Sequence, residues 1–322
     1  MPRQIDASDE SGLPPYVTGT VLTVGTFDGV HRGHRDVVER LVARSRHLKI
    51  PSVLVTFEPH PLEIVNPVAA PLLLTTHDEK QEVLAETGID YLAVLPFTAQ
   101  LAAYSAEDFV ELILRRCFRM RDLLIGYDHG FGRQRAGNVN VLRTLGERDG
   151  FRVEVVDPVS TAEGLSVSST SIRRAVAGGD LHRAAEALGR LYSVSGRVIE
   201  GEQRGRRIGF PTLNLGPPPS RKLLPPEGVY AVRVQTPVGP VGGMMNLGPR
   251  PTFGDSATSL EAHLFDTSGD FYGAYVRIDF VARLRETRKF ASAELLSKQL
   301  AHDEREARNA LTLLNVPGNL IG

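Results

Sequence analysis

The chain has 322 residues, 42% of them hydrophobic and 23% charged, and a formal net charge of −1. That length suits about two domains. The near-neutral charge argues against a protein whose main work is neutralising nucleic-acid phosphates, while leaving room for a local basic patch, and no run approaches the ~18 apolar residues of a membrane-spanning helix. The opening residues carry no apolar core behind their basic residue, and a single cysteine, Cys117, rules out an internal disulfide, so a cytoplasmic, reducing location is expected. Small molecules are then the expected partners, with no role for a nucleic acid or a membrane; self-association is left open.

In chain order, the first fifteen residues or so read as disordered. From residue 17 to about 189, β-type runs alternate with helical periods: strands are predicted at 22–26, 52–57, 91–95, 123–126 and 153–156, and helices at 34–47, 78–87, 106–117, 139–149, 171–177 and 181–188. Strands separated by helices of that length imply right-handed crossovers and a mainly parallel sheet covered on both faces. After Leu191 the pattern changes to short β runs punctuated by Gly and Pro, at 193–199, 212–215, 229–235, 241–246, 260–265 and 276–281, before a long helical period at 291–314. Strands without intervening helices indicate an antiparallel barrel or sandwich, here closed by a terminal helix. The predicted division is 1–189 and 190–322.

Between the first strand and the first helix lies Gly25-Thr26-Phe27-Asp28-Gly29-Val30-His31-Arg32-Gly33-His34. Glycines in a tight strand-to-helix turn let backbone N–H groups approach phosphate oxygens, and the helix N-terminus adds partial positive charge. His31 and His34 fall on one side of the first helical turn, where they can donate to a phosphate whose charge rises in the transition state. The turn leaves the carboxyl end of a strand, where ligands of parallel sheets bind. A zinc site joining these histidines to His60 or His129 fits less well, lacking a Cys-x-x-Cys and a third ligand at typical spacing. A Walker-type loop is absent, because no Gly-Lys-Ser/Thr follows the glycines.

In the second half, Arg204, Arg206 and Arg207 read equally as a solvated basic loop or a phosphate contact. Thr212 and Asn214 are two apart on a strand, so their neutral oxygens share a face. On residues alone they read as a polar pair on a solvent-exposed strand.

Four motifs of the first half, residues 25–34, Thr56-Phe57-Glu58-Pro59-His60-Pro61, Gly126-Tyr127-Asp128-His129-Gly130-Phe131-Gly132 and Ser168-Ser169-Thr170-Ser171-Ile172-Arg173, stand in an order and spacing that resemble the adenylyltransferase half of the prokaryotic bifunctional riboflavin kinase/FAD synthetases. The second half resembles the kinase half of that family at residues 205–214, at Gly228-Val229-Tyr230, at residues 246–253 and at Glu261-Ala262-His263-Leu264. The resemblance implies a Rossmann-like nucleotidyltransferase domain with a parallel sheet, then an antiparallel β-barrel kinase domain with a terminal helix. It implies that ATP and Mg²⁺ are used first to phosphorylate riboflavin to FMN and then to adenylylate FMN to FAD. Three positions depart from the family pattern: Thr26 for the commoner Asn, His129 at a usually aromatic or apolar position, and Leu213 where Ala is usual.

The resemblance also implies roles. His31 and His34 act on the ATP phosphates, with Gly25, Phe27, Asp28 and Gly33 shaping the pocket. Ser168, Thr170 and Arg173, at a later helix start, hold the β- and γ-phosphates; on residues alone, an ordinary N-cap is the favoured reading of Ser168 and Thr170. Phe57, Pro59, His60, Asp128, Phe131 and Arg250 face flavin. Gly201, Gly205, Arg206 and Gly209 belong to a mobile loop over the kinase ATP, Thr212 and Asn214 bind ATP and Mg²⁺, and Glu261 is the base for the riboflavin hydroxyl. Two other readings stay open: a different adenylyltransferase or synthetase-like protein, against which the lack of a Lys-Met-Ser-Lys-Ser-like signature counts, and a flavin-binding protein with one active half.

Overall fold

The computed structural model describes residues 2–6, 13–127, 130–132, 137–161, 164–201, 209–249, 258–267 and 269–314. The chain forms two compact units, Met1–Ser169 and Thr170–Gly322.

The first unit runs β1 (Arg3–Asp6), β2 (Thr20–Val24), α1 (Arg32–Leu48), β3 (Ser52–Glu58), α2 (Pro61–Val65), α3 (His77–Ala85), β4 (Tyr91–Pro96), the short α4 (Ala99–Ala102) and α5 (Ala106–Asp108), a π-helical run Phe109–Cys117, β5 (Met120–Gly126), the two-residue strands β6 (Gly130–Phe131) and β7 (Gly137–Asn138), α6 (Val139–Asp149) and β8 (Arg152–Val156). Six strands make one parallel sheet in the order β1-β4-β3-β2-β5-β8. The order reverses at β2, so the turn leaving its carboxyl end sits at the topological switch point.

Both faces of the sheet are buried, because alternate residues of each strand enter different cores. Leu22, Val24, Val53, Val55, Leu123 and Ile125 pack with Phe109, Val110, Leu114, Leu142 and Leu145 on one face. Val21, Leu54, Leu92 and Leu124 pack with Val38, Leu41, Val42, Val83 and Leu84 on the other. The expected disorder of the N-terminus is corrected for Arg3–Asp6, which pairs in parallel with β4, Ile5 opposite Ala93. The run Arg-Gln-Ile-Asp has one core residue, Ile5, and hence no alternation to read; its strand character comes from pairing with a segment some ninety residues away. The helix predicted over 106–117 is a single α-turn followed by the π-helical run, a change of backbone bonding that hydrophobic spacing does not encode.

The second unit holds most of α7 (Ser169–Ala177), then α8 (Leu181–Leu188), β9 (Ser193–Ile199), β10 (Leu213–Leu215), β11 (Gly228–Thr236), β12 (Gly239–Pro249), β13 (Thr258–Leu264), β14 (Tyr275–Arg285) and α9 (Ala293–Leu314). Its strands close into a barrel in the order β10-β13-β12-β11-β14-β9, every pair antiparallel. Leu213, Ala262, Met245 and Tyr230 stand opposite one another on successive strands, and all are buried in the barrel interior. Side chains one residue along point outward. On that outer surface Ala231, Met244 and Phe265 pack against Ala307 of α9.

One buried ion pair fixes α9 to the barrel. Arg285 on β14 donates from Nε to both carboxylate oxygens of Asp303 at 3.0 Å and from Nη2 to Oδ2 at 2.6 Å, while Gln299 Nε2 donates to Oδ1 at 2.7 Å. Asp303 is buried, and removing one partner of such a pair strands the other charge. Asp303→Ala is therefore expected to destabilise the barrel unit by about 3 kcal/mol, read from the urea midpoint of its unfolding transition, with Asp303→Asn losing less.

Candidate functional site

The sheet unit places its chemistry-bearing residues in the turn between β2 and α1. Phe27 and Val30, both buried, hold positive φ values of 48° and 40°. A β-branched residue rarely adopts that conformation, so the turn is strained and the core around it must hold the strain in place. Asp28 supplies the tie: its Oδ2 accepts from Leu74 N and its Oδ1 from Thr75 N, each at 3.0 Å, and Thr75 Oγ1 donates to Oδ1 at 3.2 Å. Gly29 N donates in turn to Thr75 Oγ1 at 3.0 Å.

His31 is the N-cap of α1, and its Nδ1 accepts from His34 N at 3.3 Å. A neutral ring that accepts at Nδ1 carries its proton on Nε2. The His31 and His34 rings stack with centroids 3.7 Å apart. Gly33 makes room for this arrangement, since a Cβ there would lie 3.3 Å from the His31 ring. His34 as a residue is half-buried, and its Nδ1 is buried without a hydrogen-bond partner among the described residues. Burial first, then the neighbouring His31 and Lys80, hold the His34 imidazole well below its ordinary pKa. His34 is thus neutral at physiological pH.

The barrel unit offers a second arrangement. Asn214 on β10 stands opposite Glu261 on β13, Glu261 opposite Asn246 on β12, Asn246 opposite Val229 on β11, and Val229 opposite Arg285 on β14. These residues form one lateral row on the outer face, which ends at the pair that anchors α9. Ser259 Oγ donates to Glu261 Oε1 at 2.8 Å, fixing the carboxylate. His263 Nδ1 donates to Pro211 O at 2.7 Å, which ties the segment ahead of β10 to β13 and places Thr212 just before the strand. Gly201 passes so close to Asn214 that a Cβ there would lie 2.0 Å from the Asn214 amide nitrogen.

The remaining expected site residues are distributed as follows. Gly25 and Phe27 flank the turn, a Cβ at Gly25 coming 3.2 Å from the Phe27 ring. Phe57 is buried against Phe97 and Phe109. Pro59 follows β3, and His60 caps α2, accepting at Nδ1 from Leu62 N at 3.2 Å. Ser168 precedes α7, whose first residue, Ser169, donates from Oγ to Asp28 O at 3.0 Å; Thr170 and Arg173 lie further along that helix. Gly209 is an exposed turn residue with φ 86°. Asp128, Gly205, Arg206 and Arg250 lie outside the described residues, as does the side chain of Phe131, whose backbone forms β6.

The two departures that fall on described residues are absorbed. Thr26 meets its surroundings through its backbone carbonyl, which accepts from Thr56 Oγ1 and Lys80 Nζ at 3.0 Å each. Leu213 points into the barrel interior opposite Ala262, away from Asn214. Sequence reading missed Leu74, Thr75, Lys80 and Ser259. A signal existed for Lys80 alone: it sits three and four residues before the core residues Val83 and Leu84, so a lysine interrupts the apolar stripe of α3.

Fold and geometry together define a nucleotidyltransferase-type α/β unit followed by a separate β-barrel unit. The family model for FAD synthetase matches residues 14–171, and that for riboflavin kinase matches residues 188–311. The chain is 39% identical over 292 residues to the bifunctional riboflavin kinase/FMN adenylyltransferase of Escherichia coli (strain K12), covering 90% of this chain and 92% of that one. It is 38% identical to a protein of the same description from Pseudomonas fluorescens, over 92% of this chain and 94% of that one. A solved structure described as a macrolide-efflux protein from Streptococcus pneumoniae matches with a TM-score of 0.82 at 28% identity, over 95% of this chain and 99% of that one. Among the described residues no helix is long and apolar enough to cross a membrane. The chain belongs to the family of bifunctional riboflavin kinase/FMN adenylyltransferases.

The depressed His34 pKa has a consequence for stability. Below about pH 6.5 the unfolded chain binds a proton at this histidine that the folded unit refuses until its own lower pKa is reached, so stability falls as pH falls through that window. The slope is at most about 1.4 kcal/mol per pH unit. Urea titrations at pH 7.5 and 5.5 are expected to show a larger acid loss for the unaltered protein than for His34→Gln, read on the sheet unit's transition.

Proposed function

We propose that the histidine turn of the sheet unit carries adenylyl transfer and that the Asn214–Glu261 row of the barrel carries phosphoryl transfer. As a member of the bifunctional family, the chain is both a riboflavin kinase and an FMN adenylyltransferase, with riboflavin, FMN and ATP as substrates. The observation that carries the assignment of sites is the stacked pair His31 and His34 at the switch point of the sheet.

In adenylyl transfer the FMN phosphate attacks the α-phosphorus of ATP and pyrophosphate leaves. The nucleophile is already anionic, so alignment and charge stabilisation do the work. A neutral His34 and the Nε2–H of His31 donate to the phosphate without first giving up a proton, and the N-terminus of α1 adds partial positive charge. Asp28, with both oxygens engaged by the backbone of residues 74–75, shapes the turn. The resemblance assigns the outer phosphates to Ser168, Thr170 and Arg173; within the sheet unit, Ser169 Oγ donates to the carbonyl of Asp28 in the turn. Phe57 shapes the flavin side from within the core, and Pro59 and His60 border it.

In the barrel, Glu261 accepts the proton of the riboflavin 5′-hydroxyl as that oxygen attacks the γ-phosphorus. Its register with Asn214 and its hydrogen bond from Ser259 support this role. Mg²⁺ belongs to the reading as a partner of ATP. Thr212 and Asn214 present neutral hard oxygens, which suit a cation that takes its remaining ligands from phosphates and water, and the lack of a side chain at Gly201 leaves the Asn214 amide its place. Bound there, the cation would neutralise charge on the transferring phosphate. The functional boundary near residue 189 is supported by the gap between the two family matches, 171 to 188, and a cytoplasmic location by the single cysteine.

Incubation of the purified protein with riboflavin, ATP and Mg²⁺, followed by chromatography of the flavins, is expected to show FMN and then FAD. His31→Ala and His34→Ala should each slow FAD formation from FMN by roughly 10²–10³ with riboflavin phosphorylation nearly intact. Glu261→Gln should slow FMN formation by roughly 10²–10⁴ and leave FMN-to-FAD conversion unchanged. Gly201→Ala, which displaces the Asn214 amide, should lower kinase turnover by up to about 10² in a barrel of near-normal stability. A folded histidine variant that loses both activities equally would contradict the division of labour.

A further inference from the structure

Lys80 is buried, and neither the turn's sequence nor its resemblance assigns it a role. Its Nζ donates to Thr26 O at 3.0 Å and to Thr56 Oγ1 at 3.4 Å, and Thr56 Oγ1 donates to the same carbonyl at 3.0 Å. Thr26 opens the turn beyond β2, and Thr56 lies near the carboxyl end of β3. A buried ammonium is unfavourable unless its donors and its charge are both answered. Here a carbonyl and a hydroxyl answer the donors, and Asp28 of the turn and Glu58 of β3 answer the charge.

The other titratable groups around this point are His31 and His34 at the start of α1, and His77 and Glu79 on α3. His77 lies 3.8 Å from a Glu58 oxygen, and Glu79 accepts from Thr76 N at 2.8 Å. Two carboxylates therefore stand close to where the turn would receive the negative charge of ATP, and Lys80 is the buried cation that interacts electrostatically with both of them and with His34. We propose that Lys80 is a positioning residue for adenylyl transfer: it ties the carboxyl ends of β2 and β3 together beneath the histidine turn and offsets Asp28 and Glu58, so that an anionic nucleotide can approach His31 and His34.

This inference rests on the assignment of adenylyl transfer to that turn. It is tested in the full chain with Lys80→Met, Thr56→Val and His34→Ala, measuring FMN-to-FAD kinetics as a function of pH, with riboflavin phosphorylation as the internal control. Lys80→Met is expected to raise the KM for ATP in FAD formation at least tenfold while the kinase is unchanged. It should also move the acid limb of kcat/KM to higher pH, because the ammonium that disfavours protonation of His34 is gone while Asp28 and Glu58 remain. A folded Lys80→Met protein with an unaltered KM for ATP, or with an acid limb that has not moved, overturns the proposal while a slow His34→Ala leaves the turn assignment standing. If His34→Ala also forms FAD at the normal rate, the turn assignment fails and the proposal falls with it. If Lys80→Met does not fold, Thr56→Val decides: shifts in the same directions support the role, and wild-type behaviour overturns it.

Discussion

The amino-terminal site depends on the carboxylate of Asp28. The turn from β2 to α1 places Phe27, a large side chain, and Val30, a β-branched one, in left-handed backbone, a conformation that costs on the order of 1–3 kcal/mol per residue and persists only where the surroundings over-determine it. Asp28 provides that determination by accepting from the backbone of Leu74 and Thr75. It thereby joins the turn to the segment leading into α3. The burial of Phe27 and Val30 against Leu41, Leu84 and Leu124 completes the hold. The result is a rigid end to β2 from which His31 caps the helix and stacks on His34. Fixed donors contribute most to catalysis when they need no reorganisation at the moment of reaction, and a strained, internally tied turn satisfies that requirement.

The barrel reaches the same end by strand register. No local motif brings Asn214 and Glu261 together; they are neighbours because β10 pairs with β13 in one register and no other. A slip of one residue would exchange the outer row for Leu213 and Ala262. The interior prevents the slip, since Leu213, Ala262, Met245 and Tyr230 are all buried and a shift would turn them out to solvent. Core packing thus fixes the polar row outside it, and Ser259 and Gly201 set the details at Glu261 and Asn214.

Much of this was legible in the sequence, for physical reasons that differ by element. The central strands read clearly because both faces are buried, giving continuous apolar runs such as Val21-Leu22-Thr23-Val24. The change from α/β alternation to helix-free strands marked the second half. The histidine turn was visible because its glycines and histidines are local and bracketed by a strand and a helix. What could not be read was non-local. Arg3–Asp6 becomes a strand only by pairing with β4, Lys80 reaches the turn across 54 residues, and the row from Asn214 to Arg285 exists only in the closed barrel. His60 shows the converse: its local capping of α2 is explicit in the structure, whereas its place beside a flavin was carried by resemblance.

Two sites that act independently on one chain should complement one another between chains. Mixing the His34→Ala protein with the Glu261→Gln protein, each alone and together, in the presence of riboflavin, ATP and Mg²⁺ measures this directly. Neither variant alone should accumulate FAD, the first stopping at FMN and the second leaving riboflavin. The mixture should form FAD from FMN released by one protein and adenylylated by the other. A mixture that makes no more FAD than the sum of its parts, while the Glu261→Gln protein still converts added FMN, would contradict the assignment of the two reactions to these two sites.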